Sequence, residues 1–486
     1  MEPAISAVTG ELVSRFVSFL TNKYHSSRAY SEEKQFEKLH QLLLRVRTVV
    51  EEADGRYITN SGMLAQLKML ADAMYQGYWT RDAFKYRSLE ETPMEAEVSS
   101  SARLKRSRSV HEGSPRQSKA RYLLELQGAL ERLENVVAHM TEFVVILGGC
   151  DRMMRRPYDA YLYIENLMFG RHTEKQELSN FLLQHNHLAT APAVLPIIGA
   201  FGVGKKTLVA HVCNDERVRS RFSVILYLGE ADFLRIAEDA SPVSENTLVV
   251  VDFVSDVDEK DWTKFYSAVA RMDRGNKVVI LSRHKKSERF GTVKPLFLNV
   301  LSYEEFSYLF KTLAFGSANQ LEYPRLVRIA DEFARELQSE EWSLVTANLL
   351  ADVIRRDLDD YFWLCILSRL RRVVERNFSM YGEHPKLLLE RGHDIAVMDF
   401  VLHPVRPLPV ICSSKNDAPM KKELSKVTFK ELLVDSGVRP KVEFGQLTWE
   451  SRLPPYTSFD HIVSSCVQDM TGYAPLSRRK RGEVPL

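Results

Sequence analysis

A glycine-rich turn between an apolar stretch and a pair of lysines is the feature that most restricts the fold of this chain. Residues 194–208 read VLPIIGAFGVGKKTL. The apolar start is typical of a buried strand, and a stretch with helical character begins at the lysines. Glycines in such a turn let backbone N–H groups point inward, and a helix N-terminus adds a partial positive charge. Strand, turn and helix in this order predict a phosphate-binding loop (P-loop).

The predicted loop gives its residues separate roles. Lys205 occupies the position from which a P-loop lysine reaches the β- and γ-phosphates of a nucleotide. The other candidate contacts from the loop and the first helical turn are Gly199, Gly202, Val203, Gly204, Lys206 and Thr207. The position after the lysine is usually Ser or Thr, whose hydroxyl holds Mg²⁺, but here it is Lys206. Since an ammonium group has no lone pair to offer, we expect ADP or ATP with weak Mg²⁺ binding or none.

A second apolar run supplies the acidic residue that such a site requires. Residues 248–252 read LVVVD, and Asp252 at their end fits a Walker B aspartate, which makes it the candidate metal ligand. Phe253 follows, where a second acidic residue often stands, so no base for activating water is evident. The two motifs predict nucleotide binding with weak hydrolysis or none. An active Mg²⁺-dependent ATPase and a nucleotide-free adaptor or decoy remain the alternatives.

Short apolar runs alternate with helical stretches from about residue 190 onward, which predicts a parallel sheet covered by helices on both faces. The runs are residues 194–198, 224–228, 248–252, 278–281 and 296–298. Apolar residues recur every three or four positions before this region, as in an amphipathic bundle. The predicted fold class is therefore α/β, with a P-loop NTPase-like parallel sheet, an N-terminal helical bundle and a C-terminal helical and irregular region.

The same patterns divide the chain into segments. The predicted segments are a helical bundle (1–88), a disordered linker (89–119), a fourth bundle helix (120–150), a nucleotide-binding domain (160–318), a helical subdomain (319–392) and an irregular region with a basic tail (393–486). The linker prediction depends on a serine- and charge-rich composition that provides almost no large apolar residues for a core. The fourth helix has an apolar seam with heptad spacing.

Charge and cysteine content limit the classes of partner and compartment. Lysine and arginine (66) nearly balance aspartate and glutamate (64), so the chain as a whole predicts no nucleic-acid partner. The five cysteines are far apart and form no CxxC pair, which suits a reducing compartment. The sequence begins without a signal-peptide pattern, and its longest apolar stretch is too short to span a bilayer. We expect a cytoplasmic protein, or a nuclear one, without stable membrane insertion.

The motifs, in this order, resemble the NB-ARC domain of plant disease-resistance proteins of the nucleotide-binding, leucine-rich-repeat class, with an Rx-like helical N-terminus. The matching segments are residues 169–171 (FGR), the P-loop, the strand ending at Asp252, residues 275–283 (GNKVVILSR) and residues 301–316. The family's GLPLA motif is missing, and residues 342–348 stand in its place. No leucine-rich repeats follow, and the C-terminal part resembles a grass subgroup that lacks them.

The resemblance implies further roles. Arg171 would lie on the base side of the nucleotide, and Arg283 would be the sensor arginine near the γ-phosphate. The protein would act as a nucleotide-binding switch or helper in plant defence. Its N-terminal helices would bind partners, through self-association or through other resistance proteins. The seam on the fourth helix is the candidate partner surface, and its residues are Leu126, Leu130, Leu133, Val137, Met140 and Val144.

Overall fold

The computed structural model divides into two compact units, residues 1–363 with 451–457, and residues 364–450 with 458–486. It describes residues 32–87, 115–151, 170–184, 191–230, 232–233, 246–270, 275–339, 342–391, 393, 395–400, 409–411, 426–434, 443–450 and 458–464. The predictions for residues 1–31, for most of the linker and for the basic tail lie outside these ranges.

The N-terminal part of the first unit is a bundle of amphipathic helices. Their bounds are α1 (Glu32–Asp54), α2 (Ser61–Arg87), α3 (Pro115–Ala138) and α4 (Met140–Gly148). Leu43 of α1, Leu67 of α2 and Leu133 of α3 are almost completely buried and form part of the bundle core. The linker was predicted to extend to residue 119, but this boundary is wrong, because α3 begins at Pro115. Proline suits the first position of a helix, where its missing N–H is not needed.

The seam of the fourth predicted helix belongs to the bundle core. That helix is interrupted at His139, which separates α3 from α4. Its seam residues Leu126, Leu130, Leu133, Val137 and Met140 are all buried. The seam is therefore part of the bundle core, as a fourth bundle helix requires, and partner binding by residues 1–150 stays a prediction. Helices α1 and α2 have apolar faces of their own to bury, and the seam covers them.

The middle of the first unit contains a five-stranded parallel sheet. In spatial order its strands are β2 (Val224–Leu228), β3 (Thr247–Phe253), β4 (Lys277–Ser282), β1 (Ala193–Gly199) and β5 (Leu296–Leu298). The helices on this part of the chain are α5 (His172–Leu183), α6 (Lys205–Cys213), α7 (Glu216–Arg221) and α8 (Glu259–Ala270). Two separate apolar clusters occupy the two faces of the sheet. The predicted P-loop NTPase-like α/β fold is confirmed.

Three further helices complete the first unit before the chain leaves it. They are α9 (Tyr303–Phe315), α10 (Pro324–Ser339) and α11 (Leu344–Ile354). Helix α9 begins with a capping box, in which the side chains of Ser302 and Glu305 each accept the other's backbone N–H. The helix α12 (Asp360–Tyr381) follows and contains the boundary between the two units.

Helix α9 joins the sheet-containing domain to the bundle through buried charges. The Lys311 ammonium lies 2.8 Å from Oδ2 of Asp82 on α2 and 3.2 Å from Oδ1 of Asp331 on α10. Arg81 pairs with the other oxygen of Asp82 at 2.8 Å. Beside this network, the rings of Tyr78 and Tyr308 stack with centroids 4.9 Å apart. The bundle and the nucleotide-binding region thus share a polar contact that is almost closed to water.

The second unit contains a five-stranded sheet where an irregular region was predicted. Its strands, in spatial order, are β6 (Ile395–Ala396), β7 (Pro409–Ile411), β10 (Ser458–Ser464), β9 (Glu443–Glu450) and β8 (Lys426–Thr428), and its short helices are α13 (Pro385–Glu390) and α14 (Phe429–Val434). The prediction of an irregular region is therefore wrong for the described residues between 395 and 464. The register of β9 and β10 shifts between Phe459 and Asp460. Such a bulge breaks the alternation of apolar and polar residues by which a strand is recognised.

Candidate nucleotide-binding site

The P-loop connects the end of β1 to the start of α6, as the sequence predicts. Gly202 (φ 69°) and Gly204 (φ 98°) adopt left-handed backbone conformations that other residues rarely tolerate. A Cβ at Gly202 would also overlap Ser343, the N-cap of α11, and the N–H of Leu344 donates a hydrogen bond of 3.1 Å to the Gly202 carbonyl. Glycine is therefore needed at residue 202 both for the turn and for the approach of α11.

Lys205 is held at the mouth of this loop. Its Nζ donates hydrogen bonds to the carbonyl oxygens of Gly199 at 2.7 Å and Ala200 at 2.8 Å. Burial lowers the pKa of Lys205 to about 8; Asp252 opposes this shift, whereas the positive charges of Lys206 and Arg283 favour it. The loop therefore concentrates positive charge where a phosphate group would enter.

Lys206 forms an ion pair with the Walker B aspartate. Its Nζ lies 2.7 Å from Oδ2 of Asp252, although β4 separates the strand of the P-loop from the strand of Asp252. The Lys206 side chain is 48% exposed and that of Asp252 is 29% exposed, so water reaches both. Thr207 follows on α6 and is half-buried. The structure brings the lysine pair and the aspartate together at one end of the sheet.

The residues at this end of the sheet do not fit Mg²⁺. Magnesium requires oxygen ligands in nearly octahedral geometry. The residue that usually offers a hydroxyl is Lys206, and the carboxylate of Asp252 already binds its ammonium group. Within the ranges that the structure describes, no cluster of three or more His, Cys, Asp or Glu side chains could hold a metal ion.

Phe253 lies in the core and not at the site. Successive side chains of a strand point to opposite faces, so Phe253 points away from the face used by Asp252. It is 1% exposed and contacts Phe233, Trp262 and Phe290 edge to face. An acidic residue at position 253 would therefore enter an aromatic cluster and would not face the site of Asp252.

Arg171 is buried and contacts the P-loop, although it precedes Val203 of the loop by 32 residues in the chain. It precedes α5, and its guanidinium donates hydrogen bonds to the carbonyl oxygens of Val203 (3.4 Å) and Asn299 and pairs with Glu174 at 3.4 Å. It thus ties the loop that follows β5 to the P-loop. Arg283 is exposed just after β4, and its Nε donates a hydrogen bond of 3.2 Å to the carbonyl of Val254.

A small cavity of about 30 Å³ adjoins the P-loop on the side of Arg171. It has room for a few water molecules. Its walls are formed by Arg171, residues 200–203, Val300, Leu301, Phe306, Gln338, Trp342 and Leu344. Gln338, Trp342 and Leu344 were not predicted as site residues. For Trp342 and Leu344 the signal in the sequence was that residues 342–348 replace the GLPLA motif, and Gln338 had none.

The chain shows sequence similarity to several plant proteins, although no family model matches it. It is 24% identical to disease resistance protein RGA2 of Solanum bulbocastanum over 353 residues, 67% of this chain and 35% of that protein. It is 27% identical to the disease resistance protein RGA4 of the same species over 203 residues, 36% of this chain and 20% of that protein. It is 29% identical to the RPP13-like protein 1 of Arabidopsis thaliana over 221 residues, 43% of this chain and 20% of that protein. The chain thus spans about a third or less of the length of these relatives.

Two solved structures show weak similarity. One is a structure of the Drosophila ORC bound to DNA, with 16% identity, a TM-score of 0.23 and coverage of 47% of this chain and 67% of that chain. The other is domain III of the Thermotoga maritima replication initiation protein DnaA, with 14% identity, a TM-score of 0.25 and coverage of 47% and 94%. At such scores neither match supports a conclusion, and the fold assignment depends on the strand order.

The strand order and the glycine loop define a P-loop NTPase-like domain. The plant relatives go one step further: the chain is similar in sequence to several plant disease resistance proteins, which agrees with the resemblance that the ordered motifs showed. The Rx-like N-terminus and the grass subgroup stay predictions. No described helix combines the length and the hydropathy needed to cross a bilayer.

Proposed function

We propose that this chain is an ADP- or ATP-binding signalling switch or helper in the plant immune response, with weak or no hydrolysis. The main support is the P-loop itself, in which two left-handed glycines place Lys205 at the start of α6. A phosphate group would take the place of the carbonyl oxygens of Gly199 and Ala200 as the partner of Lys205. The family relationship supports the immune role.

A path of contacts could carry a change in the P-loop to the bundle. Gly202 accepts a hydrogen bond from Leu344 at the start of α11, so a nucleotide that reshapes the loop would also move this helix. Helix α11 packs on α9, which binds Asp82 of the bundle through Lys311. In the proposed switch, these contacts would differ in stability between the nucleotide-bound and the nucleotide-free protein.

The same proposal assigns the remaining site residues. Arg171 would shape the base side, since it lines the cavity next to the loop. Arg283 would face the γ-phosphate from the end of β4. Weak hydrolysis follows from Lys206 in the metal-binding position and from the burial of Phe253. An active ATPase would require a bound metal ion and a base to activate water, and neither Lys206 nor Phe253 can supply a metal ligand or a base.

We also propose that the N-terminal helices bind partners, through a surface other than the buried seam. Exposed apolar side chains of the bundle offer that surface, and the described ones are Leu44, Met69, Leu124, Val145 and Ile146. We place the protein in the cytoplasm or the nucleus, in agreement with its separate cysteines; Cys150, Cys213 and Cys365 are free thiols.

The experiment is to identify the nucleotide that the purified full-length chain retains and to measure turnover on the same sample. Nucleotide released by denaturation would be identified by chromatography, and phosphate release would be followed with added ATP. We expect bound ADP or ATP with little turnover. Lys205→Glu should abolish binding, whereas Lys264→Glu on α8, whose side chain is 62% exposed, should not. Full binding by Lys205→Glu would contradict the proposed site, and brisk hydrolysis by the parent would favour the ATPase alternative.

A further inference from the structure

We propose that Lys206 is a resident cation that takes the place of Mg²⁺, so that the site binds nucleotide diphosphate free of metal. This inference rests on the proposed function and specifies its ligand. In P-loop NTPases a metal ion bridges the nucleotide phosphates and is held by a hydroxyl after the P-loop lysine and by the Walker B aspartate. Here one side chain replaces both the hydroxyl and the charge of the ion.

The position of the ammonium group carries the argument. Lys206 begins at the residue that normally supplies the hydroxyl, and its Nζ reaches Oδ2 of Asp252 at 2.7 Å. The cation therefore lies where the P-loop helix faces the Walker B strand, and it satisfies the carboxylate that a metal would need. A divalent ion would have to displace this ammonium and remain beside it, against the repulsion of like charges.

The exposure of the pair shows that the lysine can serve a phosphate. Both side chains are open to water, and ion pairs of this kind contribute little stability. The Lys206 ammonium can thus bind an incoming phosphate and Asp252 at the same time. Lys205 adds a second positive charge from the other side of the loop. Two lysines would then offset much of the negative charge of the diphosphate without a metal.

The test is to titrate the full-length protein with fluorescently labelled ADP, in excess Mg²⁺ and in excess EDTA. We expect the parent to bind ADP in EDTA as tightly as in Mg²⁺, within about threefold, or more tightly. In Lys206→Thr, which restores a hydroxyl and frees Asp252, Mg²⁺ should raise the affinity about tenfold. Lys206→Met removes the charge without supplying a ligand, so its affinity should fall about tenfold in both buffers.

The Asp252→Asn variant distinguishes a resident lysine from an ordinary metal site, because the two predict changes of opposite sign in the affinity for ADP. A metal-dependent site loses affinity when its aspartate is removed. In this chain the change removes a negative charge near the phosphates, so ADP should bind equally well or more tightly in EDTA. Lys264→Thr, which lies outside the site on α8, serves as the matched control and should behave as the parent does.

The two possible failures are distinct. Absence of ADP binding by the parent in both buffers contradicts the proposed function itself. Two other results contradict only the role of Lys206 as the resident cation. One is that Mg²⁺ raises the affinity of the parent for ADP tenfold or more. The other is that Mg²⁺ changes the affinity of Lys206→Thr no more than that of the parent. Since Lys206 is half exposed, its replacement should leave the fold intact, and the unchanged melting temperature of the variants will confirm this.

Discussion

Replacement of Lys311 by methionine should destabilise the first unit strongly, because it leaves the buried Asp82 and the partly buried Asp331 without their shared cation. The side chains of Lys311 and Asp82 are 3% and 6% exposed, and their atoms lie 2.8 Å apart. Removal of one partner from a buried ion pair typically costs about 3–5 kcal/mol of the free energy of unfolding. Methionine keeps most of the apolar stem, so little packing is lost.

The remaining contacts place the cost at the lower end of that range. Arg81 still pairs with Asp82, and the hydroxyl of Ser307 still donates a hydrogen bond of 2.8 Å to Asp331. We therefore expect a loss of about 3 kcal/mol for Lys311→Met. The double variant with Asp82→Asn should recover part of this loss, about 1–2 kcal/mol, because it removes the uncompensated charge.

The assay is urea denaturation of the full-length protein, followed by tryptophan fluorescence for the two single variants, the double variant and the parent. Lys264→Met provides a control for loss of an exposed lysine and should lie within about 0.5 kcal/mol of the parent. A Lys311→Met variant as stable as the parent would refute the reasoning. So would a double variant whose loss equals the sum of the two single losses, since the charges would then not be coupled.

Two further predictions concern the nucleotide site. The pKa of Lys205 is lowered to about 8 in the free protein, and a bound phosphate should raise it again. Affinity for ADP should therefore be highest below pH 8, where Lys205 is protonated. Above pH 8 the affinity should fall by up to about tenfold per pH unit. Titrations between pH 7 and pH 9.5 test this, and a flat profile would contradict the role of Lys205. Phe253→Asp should not restore hydrolysis, because it puts a carboxylate into an aromatic cluster and should cost more than about 4 kcal/mol of stability. A stable Phe253→Asp variant with ATPase activity would show that this side chain reaches the site.

The sheet could be predicted from the sequence because its strands are nearly continuous apolar runs. All five predicted runs lie within β1 to β5. The P-loop was equally accessible, since left-handed turns select glycine at residues 202 and 204. These features are local, and the residues that determine them are neighbours along the chain.

The partners within the site could not be predicted, because they depend on the order of strands in space. The sequence predicts weak metal binding from Lys206, but it could not predict the contact of Lys206 with Asp252, since nothing in the sequence places β4 between β1 and β3. The contact of Ser343 with Gly202 was missed for the same reason. Phe253 was correctly judged unable to act as a base, yet its neighbours in the aromatic cluster come from three distant segments.

The salt bridge between Lys206 and Asp252 would also affect the kinetics of the proposed nucleotide exchange. A metal ion can leave with the nucleotide, and its concentration in solution then enters the rate of every exchange cycle. An ammonium that is covalently attached to the chain stays behind when the nucleotide departs and closes again on the carboxylate at 2.7 Å. Exchange would then be a single dissociation step whose rate is insensitive to chelators. The lifetime of the bound state would be set by the protein and the nucleotide alone.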